Sequence, residues 1–382
     1  MLLRSGRRLP TLEEAARATV PRRRRRARSD LFAGLPEEIL LDILLRLPPK
    51  SVLRCHAVCR LCRRLASDPA FLLDHHRRQP ELPLMTCGGR LRALHRQARR
   101  IHPVFRSPQV SRSGLTTDAS CDGLLISGQH IFNPTTQQWA PLSPNPKHRV
   151  ENILGLYRHR PSGEYRLLYW RYPNNLYNMD CLIEYRVLAV GKDDPKIIDC
   201  AVTPVETELI SRGGPAIFGT AVLLNANLHL HWRKSFGVPY HRILVFDTVA
   251  ESFRHMRPPA VNPRHVMHLL DMGGTLAAST SKDGMTGMSI FMLQDHDVWA
   301  FRYRITLPVV DIRRFQERGD WWAKVVNKEG DVLVTCYEHL LLFDKTGDLV
   351  GSSKFDDDLP VVLPFRLKES LVQHTFFQKT EN

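Results

Sequence analysis

The sequence lacks several features that define well-known classes of protein. It has no run approaching the roughly 18 apolar residues that a membrane-spanning helix requires. Its basic N-terminal residues are not followed by the apolar segment of a secretory signal. It has eight cysteines in 382 residues, which is ordinary usage and not the density of a disulfide-stabilised scaffold. These absences favour an intracellular protein that does not enter a membrane.

Motifs of common catalytic sites are also missing. The sequence contains no G-x-G loop for a dinucleotide or a kinase substrate, no phosphate-binding P-loop and no G-x-S-x-G nucleophile elbow. His229 and His231 flank Leu230 in a predicted strand, but no spacing supports the further ligands that a metal site needs. We therefore predict no catalytic residues, no metal and no cofactor.

The positive charge is unevenly distributed along the chain. Residues 1–30 carry ten arginines and three acidic residues, residues 31–112 carry fifteen basic and six acidic residues, and residues 113–382 carry 29 basic and 30 acidic residues. The large C-terminal part is therefore nearly neutral, which makes it a poor surface for nucleic-acid phosphates. A nuclear nucleic-acid-associated protein that uses the basic first third remains the alternative interpretation.

Residues 1–29 are predicted to form a disordered basic tail, because six arginines within seven positions repel one another and cannot pack. A run of this kind is typical of a nuclear-import signal, so we expect the protein in both nucleus and cytoplasm. The alternative is a solvated tail that only raises solubility and non-specific binding. The arginines of the run are Arg22, Arg23, Arg24, Arg25, Arg26 and Arg28.

Residues 31–79 are predicted to form a domain of three helices. Pro36 suits the first position of the first helix, Ser51 is placed to cap a second helix that runs to about Ala66, and Asp68 is placed to cap a third. The first helix is apolar on most of its circumference, and a unit this small cannot bury so much apolar surface alone. The surplus predicts a protein partner.

Three cysteines in this domain have a spacing that also occurs in metal-cluster sites. Cys55, Cys59 and Cys62 fall within the predicted second helix, where they are spread along the helix axis. A metal or cluster needs its ligands around one centre. We therefore interpret these cysteines as core residues.

The remainder divides into two regions. Residues 80–112 are predicted to form a basic helical connector, since Leu91, Leu94, Ala98 and Ile101 have a helix-like spacing. Residues 113–382 instead consist of short apolar runs separated by Pro, Gly, Asn and Asp, which is typical of an all-β domain.

One element recurs in the all-β region. An aromatic residue that ends a predicted strand is followed by an Asn or Asp able to turn the chain and by an apolar residue seven positions after the aromatic. The intervals of 114 and 97 residues each match about two propeller blades of roughly 40–50 residues. About six blades are predicted, with a pair of β-sandwiches as the competing fold. The three instances are Phe132-Asn133 with Trp139, Phe246-Asp247 with Phe253, and Phe343-Asp344 with Val350.

The helical region resembles the F-box motif in residues 35–39, 43–48, 50–54 and 58–60 and in Leu65, and departs from it at Cys62, where the family commonly carries Trp. The resemblance implies docking on a Skp-family adaptor, which links an F-box protein to a cullin–RING ubiquitin ligase. The residues predicted to contact the adaptor are Leu35, Pro36, Ile39, Leu40, Ile43, Leu44, Leu47 and Pro48, with Ser51, Leu53 and Val58 behind them.

The all-β region resembles the F-box-associated domain of large plant F-box families. The resemblance rests on residues 120–125, 132–139, 155–157, 162–168, 231–232, 246–248, 251–254, 293–295 and 299. It implies a substrate-recognition subunit of an SCF-type ubiquitin ligase, whose β domain captures a target protein and which has no catalytic activity of its own. The identity of the target is not predictable, because recognition residues lie on variable loop tips.

Overall fold

The computed structural model describes residues 35–57, 59–88, 90–95, 100–105, 117–171, 184–198, 217–218, 221–233, 241–355 and 360–380. These residues form a helical unit followed by six β-sheets in a propeller arrangement. The predicted fold class, an N-terminal helical domain followed by an all-β propeller, is therefore confirmed. Within the described ranges, no helix has the length and apolar character needed to cross a membrane.

The helical unit has four helices in the described residues, where three were predicted. The predicted second helix is interrupted after Cys55, and Cys59 adopts an extended conformation in which its Sγ accepts a hydrogen bond from the Cys62 N–H at 3.2 Å. Ser51 lies inside a helix that starts at a proline and does not cap it, whereas Asp68 caps the last helix as predicted, accepting from the Phe71 N–H at 3.0 Å. The helices are α1 (Glu37–Arg46), α2 (Pro49–Cys55), α3 (Arg60–Ala66) and α4 (Pro69–Arg78).

Each propeller blade is an antiparallel sheet of four strands, or of five in blade 4. Blade 1 contains β1 (Glu81–Cys87), β2 (Arg90–His95), β3 (Arg100–Phe105) and β25 (Val361–Lys368), and blade 2 contains β4 (Ala119–Cys121), β5 (Leu124–Ser127), β6 (His130–Asn133) and β7 (Gln138–Pro141). Blade 3 contains β8 (Ile153–Arg158), β9 (Tyr165–Arg171), β10 (Glu184–Ala189) and β11 (Lys196–Ile198), and blade 4 contains β12 (Ile217–Phe218), β13 (Val222–Leu224), β14 (Asn227–Arg233), β15 (His241–Asp247) and β16 (Ser252–Met256). Blade 5 contains β17 (Val266–Asp271), β18 (Leu276–Ser281), β19 (Gly287–Leu293) and β20 (Trp299–Thr306), and blade 6 contains β21 (Trp322–Val325), β22 (Val332–Cys336), β23 (His339–Phe343) and β24 (Leu349–Lys354). Three short helices accompany them: α5 (Val309–Arg313) and two 3₁₀ turns, Asp295–Asp297 and Thr375–Thr380.

The blades close into a ring because each neighbouring pair shares an apolar core. The described residues form six such cores, and one of them joins blade 6 to blade 1 through residues that include Leu94 and Leu340. The burial of these apolar faces supplies the main driving force for a fold whose blades meet through side chains.

The predicted helical connector over residues 80–112 is wrong. Its described part forms β1, β2 and β3 of blade 1. Leu91 packs in the core between blades 1 and 2, and Leu94 packs in the core between blades 6 and 1. Because a propeller strand is covered on both faces, its apolar residues need not alternate, and here their spacing imitates that of a helix.

The C-terminal strand β25 completes blade 1 from the inside of the ring. It pairs with β1 in antiparallel register, with Glu81 opposite Lys368. The chain then runs back over the helical unit: the Asn133 side-chain amide donates to the Ser370 carbonyl at 3.0 Å, and Leu371 packs into the core of the helical unit. This last segment, residues 369–377, is called the C-terminal tail below. It ties the helical unit to the propeller.

The recurring turn element is confirmed in blades 2, 4 and 6. In each, the side-chain Oδ1 of the residue after the aromatic accepts two backbone N–H groups at 2.8–3.3 Å. Phe132 pairs with Trp139, and Phe246 pairs with Phe253. Phe343 pairs with Leu349 instead of Val350, since the register shifts there by a β-bulge.

The two ends of the propeller carry different loops. The last residue of β25 lies opposite the first of β1, and β1 begins two residues after Gln79 of the helical unit, so this end of the ring adjoins the helices. The inner strands of the blades start at the other end, which we call the distal face. The turn at 337–338 and the connection at 307–321 lie on the distal face.

Candidate functional site

The helical unit presents a row of exposed apolar side chains. Leu35, Ile39 and Ile43 are 38%, 50% and 42% exposed, and Leu53 of α2 is 41% exposed. Ile39 and Ile43 lie four positions apart on α1 and therefore on one side of the helix. We call these four residues the apolar stripe. Exposed apolar side chains aligned in this way are typical of a protein interface.

The predicted adaptor-binding residues divide into exposed and buried sets. Pro36 and Pro48 are exposed, and Leu47 and Ser51 are half-buried. Val58 lies outside the described residues. Leu40 and Leu44 are buried, and their position corrects the prediction that they contact the adaptor.

Leu40 and Leu44 are only 2% and 1% exposed, and they pack in the core of the helical unit, so they do not face a partner. The sequence does not show which face of α1 is buried and which is exposed, because both faces are apolar. A charge at Leu44 would consequently disrupt the fold itself.

Ion pairs border the apolar stripe. Arg64 Nη2 lies 2.5 Å from Glu37 Oε2, and Arg46 Nη2 lies 2.6 Å from Asp42 Oδ2. All four side chains are about half or more exposed, so these pairs contribute little to stability. They give the stripe a polar rim, which is the usual anatomy of an interface.

The histidines and cysteines singled out in the sequence are structural. His229 and His231 are buried in β14, and the His229 ring lies 3.2 Å from the Val222 carbonyl oxygen. Cys55, Cys59 and Cys62 pack in or against the core of the helical unit, as predicted. Among the residues that the structure describes, no group of three or more His, Cys, Asp or Glu side chains is placed to hold a metal.

A cavity of about 1460 Å³, called the channel below, is lined by the inner strands of the blades and by residues of the helical unit. Among its cationic side chains, Lys324 of β21 and Arg366 of β25 lie where blades 6 and 1 meet. Burial, with a smaller effect of the nearby Arg366 charge, lowers the pKa of Lys324 to about 8. Arg366 Nη1 donates to Glu81 Oε2 and to the Asp271 carbonyl oxygen, both at 3.2 Å.

The distal face carries a second group of exposed apolar side chains. Trp322 and Val361 begin the inner strands of blades 6 and 1, and they are 74% and 52% exposed. Val310 of α5 and Tyr337 of the β22–β23 turn are 74% and 69% exposed. We call these four residues the distal patch. Sequence reasoning missed both the patch and the two cations, because each set combines residues of blades 6 and 1 that only ring closure brings together.

Comparison with known proteins identifies the helical unit. The family described as F-box-like matches residues 32–78. The chain is 26% identical to the F-box protein CPR1 of Arabidopsis thaliana, over 72% of this chain and 74% of that protein. It is 24% identical to an F-box/LRR-repeat protein of the same plant, over 78% of this chain and 73% of that protein.

A solved structure, that of the nidogen/laminin complex, matches with a TM-score of 0.39 and 9% identity, over 72% of this chain and 94% of that one. So weak a similarity carries no argument about function.

These findings confirm the resemblance noted in the sequence. The chain therefore carries an F-box-like domain at residues 32–78, with a six-bladed propeller behind it. Its similarity to F-box proteins of Arabidopsis extends over most of the chain.

Proposed function

We propose that this protein is the substrate-recognition subunit of an SCF-type ubiquitin ligase. The F-box-like domain docks on a Skp-family adaptor, which connects it to a cullin–RING ligase, and the propeller captures the protein to be ubiquitinated. The protein itself acts as a non-catalytic adaptor. The observation that carries the proposal is the apolar stripe, four exposed apolar side chains on a domain that has its own complete core.

The stripe supports docking on a preformed partner surface. Its residues sit on short helices that are held in place by Leu40, Leu44 and the rest of the core, so little ordering entropy is lost on binding. Leu371 from the C-terminal tail packs in the same core. A partner on the stripe would therefore be held in a fixed direction relative to the propeller.

The propeller supports target capture by its position. The helical unit adjoins one end of the ring, which leaves the distal face open for a second protein. Long connections between strands and exposed apolar residues are found there, and such loops on a rigid scaffold commonly carry recognition.

The experiment is co-purification of the full chain with a co-expressed Skp-family adaptor. We expect Ile39→Asp with Ile43→Asp to weaken adaptor binding about 100-fold or more, since a charge in a desolvated interface costs several kcal/mol. Ile197→Asp is the matched control, because Ile197 is a similarly exposed isoleucine (55%) on an outer propeller strand. Adaptor binding that survives in the folded double variant would contradict the proposal.

A further inference from the structure

The channel contains positive charge that the described residues do not neutralise. Lys324 has no hydrogen bond or ion pair with any described residue, although it is half-buried and lines the cavity. The contacts of Arg366 with the described residues both use Nη1. A guanidinium has five N–H donors, so those of Nε and Nη2 remain for another acceptor.

The acidic groups nearby are already engaged. Glu81 is the partner of Arg366 and its side chain is 47% exposed, at the end of the channel near the helices. The carboxylate of Asp271 faces its own turn, where it accepts the Gly274 N–H at 2.7 Å. A cation held in a partly desolvated cavity without a counter-charge favours an anionic ligand group, which would repay part of the desolvation cost.

An apolar surface adjoins these cations. Trp322 lies two residues before Lys324 on β21, so both side chains point to the same side of the strand, about 7 Å apart along it. Val362, next to the exposed Val361, packs in the core between blades 6 and 1, the junction at which Arg366 lies. From the distal face inward, the junction of blades 6 and 1 is thus first apolar, at Trp322, and then cationic, at Lys324 and Arg366.

We propose that this junction of blades 6 and 1 binds an extended acidic segment of the target protein, with an apolar side chain on Trp322 and an Asp or Glu side chain on Lys324 and Arg366. The spacing sets the register, because side chains two positions apart in an extended peptide also lie about 7 Å apart on one side. The proposal rests on the proposed function and adds the chemical class of the segment that the propeller recognises.

The experiment is selection of a random peptide display library on the purified full chain. We expect enrichment of peptides with an Asp or Glu two positions from a large apolar residue. A synthetic peptide of the enriched sequence should bind about tenfold more weakly to Lys324→Met, and its Asp→Asn or Glu→Gln form should lose a similar factor on the parent protein. Lys354→Met is the matched control, since Lys354 lies in the same blade, pairs with Glu338 at its outer strand and is 59% exposed.

Several outcomes overturn the proposal. Selection without acidic enrichment does so, as does equal binding by Lys324→Met and the parent. Binding restricted to phosphorylated forms of the peptide overturns the carboxylate assignment. Asp356, Asp357 and Asp358 lie outside the described residues; binding that appears only when all three are changed to Asn would show that the chain's own carboxylates take the site.

The adaptor experiment keeps the two proposals distinguishable. Lys324→Met should retain adaptor binding, and the Ile39→Asp, Ile43→Asp variant should retain peptide binding. Loss of peptide selectivity with adaptor binding intact removes the channel site alone. Peptide selectivity in a protein that never binds a Skp-family adaptor removes the ligase function alone.

Discussion

The two ends of this molecule both expose apolar side chains, but they do so in different ways. At the helical end, the apolar stripe lies on the first two helices and the residues just before them, and it is bordered by exposed ion pairs. At the distal end, the distal patch lies beside the junction of blades 6 and 1, whose Lys324 and Arg366 line the cavity of the ring. The first arrangement suits a partner of one fixed shape, and the second suits a chain segment that enters a cavity. The proposed function requires both, since its adaptor would be constant and its target particular.

The largest effect on stability is expected from a charge on the buried face of α1, compared with a charge on its exposed face. Leu44→Asp should unfold the helical unit, because a charge without a partner in the core costs several kcal/mol. Ile43→Asp should leave the melting temperature within a few degrees of the parent while removing adaptor binding, since Ile43 is 42% exposed. Thermal unfolding and adaptor co-purification, measured on both variants, separate the effects. A well-folded Leu44→Asp protein would contradict the assignment of Leu44 to the core.

A pH change should act on the C-terminal tail, which ties the helical unit to the propeller. His374 packs against Tyr165 and Phe376, with ring centroids 5.1 Å apart in each pair. Burial lowers the pKa of His374 from 6.5 to about 4. Its Nε2 has no hydrogen-bond partner among the described residues. The unfolded chain therefore takes up a proton between these values, and stability falls as the pH decreases from about 6.5 to about 4, by at most about 3 kcal/mol.

The measurement is the free energy of unfolding in urea at pH 7 and at pH 5, for the parent and for His374→Phe. Burial also lowers the pKa of His75 and His229, so both proteins should lose stability in acid. The parent should lose more, because the phenylalanine does not titrate. Equal losses would show that His374 does not contribute.

A smaller difference is expected between two of the recurring turns. Asn133 and Asp247 each accept two backbone N–H groups, but Asn133 is fully buried and also donates to Ser370 in the tail. Asn133→Ala should cost about 2–3 kcal/mol, and Asp247→Ala about 1 kcal/mol. Urea unfolding compares them. A larger loss for Asp247→Ala would mean that the bond to the tail adds nothing.

The smallest change concerns location and not stability. Arg22 to Arg26 and Arg28 lie outside the described residues, and their role as an import signal stays a prediction. Deleting residues 21–28 from a fluorescent fusion should move signal from nucleus to cytoplasm without changing adaptor binding, because guanidinium groups pair with the carboxylates of an acidic receptor groove. An unchanged distribution would leave the run as a solvated tail.

Local patterns predicted those parts of the fold that local chemistry determines. The Asp68 cap and the three Phe-Asx turns were found because side chains near in sequence make them. Blade 1 was missed because its strands are buried on both faces and its inner strand comes from the far end of the chain. For the same reason, no sequence signal joins Lys324 to Arg366. The sequence does not distinguish Leu40 from Ile39, because both are apolar residues of α1. The packing of α2, α3 and α4 places Leu40 in the core and leaves Ile39 at the surface.

Strand β25 also has a consequence for how the protein is made. Ribosomes add about 5–20 residues per second, so roughly 15–60 s pass between the synthesis of β1 and that of β25, which pairs with its inner edge. During synthesis, the ring stays open with an unpaired strand edge, and the helical unit lacks Leu371. The nascent chain consequently depends on chaperones that cover such edges. A chain truncated before Val361 would lack both the strand that completes blade 1 and the Leu371 side chain of the helical core.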